Sequence, residues 1–357
     1  MIFSPSEILP VAQSTGFRAD MVEKVAHLLR LLDGFNAHSF LKGKWVLKGG
    51  TALNLFLADL PRLSVDIDLN YTGARKRDEM LAERPGIEQA CQAVFSREGF
   101  AIKKVPADHA GGKWRLQYQS FSGRSGNLEV DLNFMYRQPL WDVRSLDSRA
   151  FGDFQAKNVP VLDLHELAAG KLAALFARGQ ARDLFDCHRI LQMKDLDAQC
   201  LRIAFVAYGG MNRKDWRTVT LEDVNVDAAE IARKLLPTIR EASADSRSEP
   251  AAYGERLVRE CRALLSAVLP FTDSEMSFLD RLLDDGVVDG SILTPDENLR
   301  QRIQIQPLLE WKAVNVRKHS DCRDTRRGIT ALTSVLPTAA AASPKQPRRP
   351  PGAGFFR

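Results

Sequence analysis

KGGTALNLFLADLPRLSVDIDLN, residues Lys48 to Asn70, is the stretch on which the fold turns. Just ahead of it, Lys44 to Leu47 predicts a short strand. Gly49-Gly50 predicts a tight turn, and Thr51 suits the cap of a helix running to about Leu60. Pro61 ends that helix, because proline has no N–H to donate and its ring clashes with the preceding turn. Leu63 to Leu69 then alternates as a strand. Strand side chains repeat every two residues, so Asp66 and Asp68 share one face while Val65 and Ile67 share the other. Two carboxylates so close resist joint ionisation unless a cation joins them. Magnesium, which takes one or two carboxylates together with phosphate oxygens, suits such a pair. A lone D-x-D also fits a solvated strand face, and a lone Gly-Gly also fits a connecting turn. Together they point to phosphate chemistry. Glycine lets a backbone approach phosphate closely, and a helix start supplies unpaired N–H groups. Thr51 or Ser64 adds a hydroxyl. The stretch is not a P-loop, since no G-x-x-x-x-G-K-[ST] occurs.

On either side the pattern alternates between helix and strand. Ala19 to Leu32 predicts a helix with Met21, Val25, Leu28 and Leu32 on one face. A second helix is expected from about Pro85 to Glu98, and strands at Lys113–Phe121 and Asn127–Phe134. Asp131, in LEVDLNF, could stand beside the D-x-D pair on a neighbouring strand. Three carboxylates on one sheet face would hold two metals, and Asp131 within reach of a hydroxyl could take its proton. From Asp163 onward the pattern is helical. Asp163-x-x-Glu166 is a capping box before an apolar run ending near Ala177, and a second helix covers Arg182 to Met193. Further helices are expected near 226–241, 252–267, 273–284 and 306–316.

The chain has 357 residues, 45% hydrophobic and 27% charged, enough for two or three domains and a sizeable core. No apolar run reaches the ~18 residues of a membrane span. The first residues lack the basic-then-apolar order of a signal peptide, so a cytoplasmic protein is expected. Five scattered cysteines with no C-x-x-C argue against a disulfide framework or a zinc site. From Lys318 to the end, eight basic residues stand against two acidic ones, more than the whole net charge of +5. The body is therefore near neutral, and SPKQPRRPPGAG predicts a disordered basic tail. The six histidines form no H-x-x-H pair, and Cys187-His188 adjacency does not make a nucleophile–base couple. His109 lies in a loop where it could touch substrate, but no pattern selects it.

The Lys48–Leu69 span resembles the signature of the AbiEii/AbiGii toxin family, polymerase-β-like nucleotidyltransferases whose pattern is G-[GS]-[ST], a short helix, then D-x-D. Gly50 and Thr51 match its first part, Asp66 and Asp68 its second. Arg62 and Ser64 match the R-x-S-x-D-x-D form, and LEVDLNF resembles the strand with the third carboxylate. HELAAGKLAALFARGQARDLFDCHRIL is similar to the family's K-x(6)-R…R-D-x-x-D helix pair, with Lys171 and Arg178 on one helix face. A third likeness, from PFTDSEMSFL to WKAVNV, carries the resemblance from about residue 40 to 319.

The resemblance implies an α+β fold: a nucleotidyltransferase domain with a mixed sheet over residues 1–160, a helical domain completing the cleft over 161–320, and the tail over 321–357. It implies that Asp66, Asp68 and Asp131 hold Mg²⁺ or Mn²⁺. Gly49, Gly50, Thr51, Arg62, Ser64, Lys171 and Arg178 would then bind a nucleoside triphosphate. Asp183 is the preferred match for a further catalytic acid beside Lys171, with Asp186 the alternative. The bland readings are snorkelling surface cations for Lys171 and Arg178 and helix-start charge for the two aspartates. The implied activity is that of a toxin in a bacterial toxin–antitoxin pair of the phage-defence, abortive-infection kind. It would move NMP from NTP to RNA, with the tRNA 3′ end the leading acceptor, and its antitoxin partner would be a DNA-binding protein. The alternatives are nucleotidylation of a protein, or a non-catalytic nucleotide-binding partner of an antitoxin.

Overall fold

A computed structural model of the chain describes residues 2–59, 61–106, 110–241, 243 and 249–319. The expected basic tail and His109 lie outside the described residues. Met1–Val316 cluster as one compact unit.

Two N-terminal helices, α1 (Pro5–Thr15) and α2 (Ala19–Ala37), lead to β1 (Trp45–Lys48). The chain turns straight into α3 (Gly49–Ala52), which widens into a π-type turn over Leu53–Leu57. β2 (Asp66–Tyr71) follows, then α4 (Arg77–Arg97), β3 (Ala101–Lys104), β4 (Gly111–Gln119), β5 (Ser125–Asn133), β6 (Arg144–Leu146) and β7 (Val159–Val161). The seven strands form one mixed sheet in the order β3-β4-β5-β2-β1-β7-β6. β2 runs parallel to β5 and antiparallel to β1, so two strands distant in the chain become neighbours.

Alternation decides which face is covered. On β4, Trp114, Leu116 and Tyr118 are buried while Lys113, Arg115 and Gln117 point the other way. The buried face packs under α2 and α4. Phe95 meets Trp114 edge-on at 5.6 Å, and His27 lies 4.1 Å from the Tyr118 ring. The opposite face of β4 and β5 stays polar.

The remainder is helical: α5 (Leu164–Arg178), α6 (Ala181–Ile190), α7 (Ala198–Gly210), α8 (Ala228–Glu230), α9 (Pro250–Leu265), α10 (Asp273–Asp280) and α11 (Glu297–Gln304), with a last helix beginning at 307. Among the described residues no helix is long and apolar enough to cross a membrane.

Several boundaries differ from expectation. α4 begins two turns before Pro85, because the charged run Arg77–Arg84 consists largely of good helix formers. Strand β2 starts at Asp66 rather than Leu63; Leu63 donates its N–H to Thr238 instead. Asp163 caps α5 through the His165 N–H. Glu166 turns inward, where it accepts from the Trp141 N–H and the Tyr208 hydroxyl rather than closing a capping box.

Candidate active site

The polar sheet face is best described by rows across the strands. Side chains directly opposite each other on paired strands point to the same side. One row reads Lys48 on β1, Asp68 on β2, Asp131 on β5 and Lys113 on β4. The next reads Asp66 on β2, Glu129 on β5, Arg115 on β4 and Lys104 on β3. Asp131 is therefore in register with Asp68, on the same face as both members of the D-x-D.

The electrostatics agree with that crowding. Burial and the neighbouring Asp68 raise the acid pKa of Asp66, and the same two causes raise that of Asp131. Lys113 and Arg182 pull Asp66 back, while Lys48 and Lys113 do so for Asp131. Burial works against the charge on Lys113, but its ion pair with Glu129 at 3.2 Å and the fields of Asp68 and Asp66 keep it protonated. The acids thus sit in a field that is negative at its centre and bracketed by two lysines.

Gly49 and Gly50 lie against this row. Gly49 has φ +76°, and a Cβ there would come within 2.4 Å of the Asp68 carboxylate oxygen. A Cβ on Gly50 would come within 2.7 Å of the Ser64 hydroxyl. Only glycine permits both the backbone conformation and the approach. Thr51 is fully buried, and its hydroxyl donates to the Asp66 carbonyl at 2.5 Å. It ties the turn to the start of β2.

A buried charge network underpins the site. Arg62, 2% exposed, donates through Nε and Nη2 to the two oxygens of Asp186 at 2.8 and 2.6 Å, and through Nη1 to the Leu63 carbonyl. Lys171 bridges Asp186 at 2.8 Å and Asp183 at 3.3 Å. Arg178 grips Asp183 in a fork at 2.7 and 3.1 Å. Burial alone would raise Asp186, yet Arg62 and Lys171 hold it down at about 2. Both aspartates of the R-D-x-x-D motif are thus tied to cations. Arg62 is turned into the fold, where it positions the loop before β2. Arg178 differs: its side chain is 54% exposed and feels the Asp68 charge, so it borders the acid face.

Asp66, Asp68, Asp131, Gly49, Gly50 and Ser64 come together; Arg62, Lys171, Asp183 and Asp186 form the network beside them. Sequence reasoning missed Lys48 and Lys113. Their signal lies in strand register, which pairs them with Asp68 and Asp131. Among the described residues no three His, Cys, Asp or Glu side chains stand ready to enclose a metal ion. The donor set still fits a hard divalent cation of the kind that takes one or two carboxylates and completes its shell with substrate phosphates. A cavity of about 580 Å³, lined by Val226, Gly254, Val258 and Arg259 among others, contains none of these residues.

A solved structure has a similar fold. MenT4, a nucleotidyltransferase toxin (Rv2826c) from Mycobacterium tuberculosis H37Rv, superimposes with a TM-score of 0.53 over 86% of this chain and 98% of its own, at 18% identity. At that identity the likeness concerns the fold alone. The family model described as nucleotidyl transferase AbiEii toxin, type IV toxin–antitoxin system, matches residues 30–267, and the chain belongs to that family. As a member of that family it is a nucleotidyltransferase toxin of a type IV system, which implies an NTP substrate and an antitoxin counterpart. No curated protein matches the chain.

Proposed function

We propose that the toxin transfers a nucleoside monophosphate from NTP to the 3′ hydroxyl of an RNA, tRNA first among candidates, in a reaction that needs a divalent cation. The observation that carries this reading is the register of Asp131 against Asp68. It gives one acid for charge neutralisation and a second, one strand away, for the proton.

A magnesium ion held by Asp66 and Asp68, with manganese as its substitute, would supply positive charge at the α-phosphate. The Gly49-Gly50 turn receives the triphosphate, with the Arg178 guanidinium facing its phosphates. The acceptor hydroxyl attacks the α-phosphorus; the new P–O bond forms as the bond to the bridging oxygen breaks, and pyrophosphate leaves. Asp131 takes the hydroxyl proton, a role that suits a carboxylate whose pKa is raised. Lys171 and Asp183 act from behind, by holding Arg178 and the Arg62 loop in place. In this reading residues 1–160 supply the acid face with Lys48 and Lys113, and residues 161–320 add Arg178 and Arg182. The antitoxin is a DNA-binding protein, and the toxin works in the cytoplasm as a phage-defence, abortive-infection device.

Purified protein incubated with each NTP, total tRNA and magnesium tests the reading. Label on the α-phosphate is expected in RNA and label on the γ-phosphate is not. Periodate oxidation of the RNA terminus should abolish the transfer. Label that survives nuclease but not protease would replace the RNA acceptor with a protein. Nucleotide binding without any transfer would leave a non-catalytic partner of the antitoxin.

A further inference from the structure

The acid row has two sides, and they differ. On the β1 side stands the glycine turn, which follows that strand directly. On the β4 side the polar face continues outward to the sheet edge and becomes basic. Lys113 and Arg115 are 49% and 58% exposed, and both pair with the single carboxylate of Glu129. Lys104, exposed on the edge strand, pairs with Arg115 just past a register shift in β3. Like charges set opposite each other on neighbouring strands weaken a sheet. Lys113 also faces Asp131 in register, so the uncompensated charge lies further out, where Arg115 and Lys104 share Glu129 alone and an anion would relieve them.

We propose that Lys104, Arg115 and Lys113 form the rail along which the acceptor RNA backbone approaches Asp131, a proposal that rests on the RNA reading above. Strand spacing puts Lys113 one strand from Asp131, and Arg115 and Lys104 two and three strands from Asp66, roughly 5–15 Å in all. The triphosphate and the acceptor thus reach the acids from opposite sides, with Asp131 on the acceptor side. Contacts to phosphate carry no sequence information, so the rail fits any RNA end and leaves the choice of RNA to other surfaces.

The test is the double variant Lys104→Gln/Arg115→Gln of the full chain, with Lys194→Gln as a control on an exposed lysine elsewhere. The rail predicts that KM for tRNA rises about tenfold. It also predicts that the slope of log KM against log salt falls by roughly 1–2, about one per lost phosphate contact. KM for NTP stays within about twofold of wild type, which also shows that the fold is intact, and the control matches wild type throughout. An unchanged tRNA KM in an active double variant overturns the rail, as does a rise in the NTP KM alone. If wild type itself labels no RNA, the RNA reading fails and the rail with it.

Discussion

Asp68→Asn is expected to lower nucleotide transfer by at least ~10³-fold, the scale on which phosphoryl-transfer enzymes respond to loss of transition-state charge stabilisation. Asp68 is the central acid of its row. It pairs with Lys48 and Asp131, touches the Gly49 position, and raises the pKa of both other acids. The isosteric change leaves the shape and removes the charge. Because Asp68 repels Asp66 and Asp131, its removal should also leave the fold slightly more stable, by a Tm rise of about 1–3 °C. Falling activity with rising Tm is the mark of an acid kept for chemistry at a cost in stability. Label transfer at the wild-type rate in Asp68→Asn would remove Asp68 from the mechanism.

Asp186→Ala is expected to act in the opposite manner, on the fold before the chemistry. Asp186 is fully buried between Arg62 and Lys171. Removing it strands a buried guanidinium, a loss of about 3–5 kcal/mol. A Tm drop of roughly 5–15 °C should follow. The double change Arg62→Met/Asp186→Leu removes both members of that pair and should recover part of the loss, because a buried pair is worth little more than an apolar isostere and Lys171 keeps Asp183 as its partner. The same pair sets an acid limit. An acid whose folded pKa is about 2 stabilises the fold above its usual value and loses that contribution as pH falls toward 2. Wild type should therefore weaken between about pH 4 and 2, and the double variant should lose this part of the slope. Calorimetry across that window reads both effects. A Tm for Asp186→Ala within a degree of wild type would contradict the account.

The parts of the site with short-range patterns were legible in the sequence. Gly49-Gly50 at a strand-to-helix turn, and Asp66 and Asp68 on one strand face, follow from local geometry alone. Asp131 was legible as a carboxylate on a strand, but its pairing with Asp68 depends on β5 lying parallel to β2, which only the whole topology decides. The bond between Arg62 and Asp186 spans 124 residues and leaves no local trace. An R-x-S-x-D-x-D motif reads equally well as ligand binding or as loop anchoring; burial separates the two. Lys48 and Lys113 drew no reading from the sequence, because only register sets them against the acids. β3, β6 and β7 are three or four residues long, too short for alternation to register. The first turns of α4 were masked by Pro85, which signals a helix start yet lies inside this helix.

The proposed transfer depends on Asp66 and Asp68 gripping a divalent cation together with the triphosphate, and paramagnetic manganese reads that directly. Titration of Mn²⁺, followed by electron paramagnetic resonance in the presence of a non-hydrolysable NTP analogue, should show saturable binding to wild type. Asp66→Asn and Asp68→Asn should each weaken it by at least ~10-fold. Equal Mn²⁺ binding by wild type and both variants would contradict it.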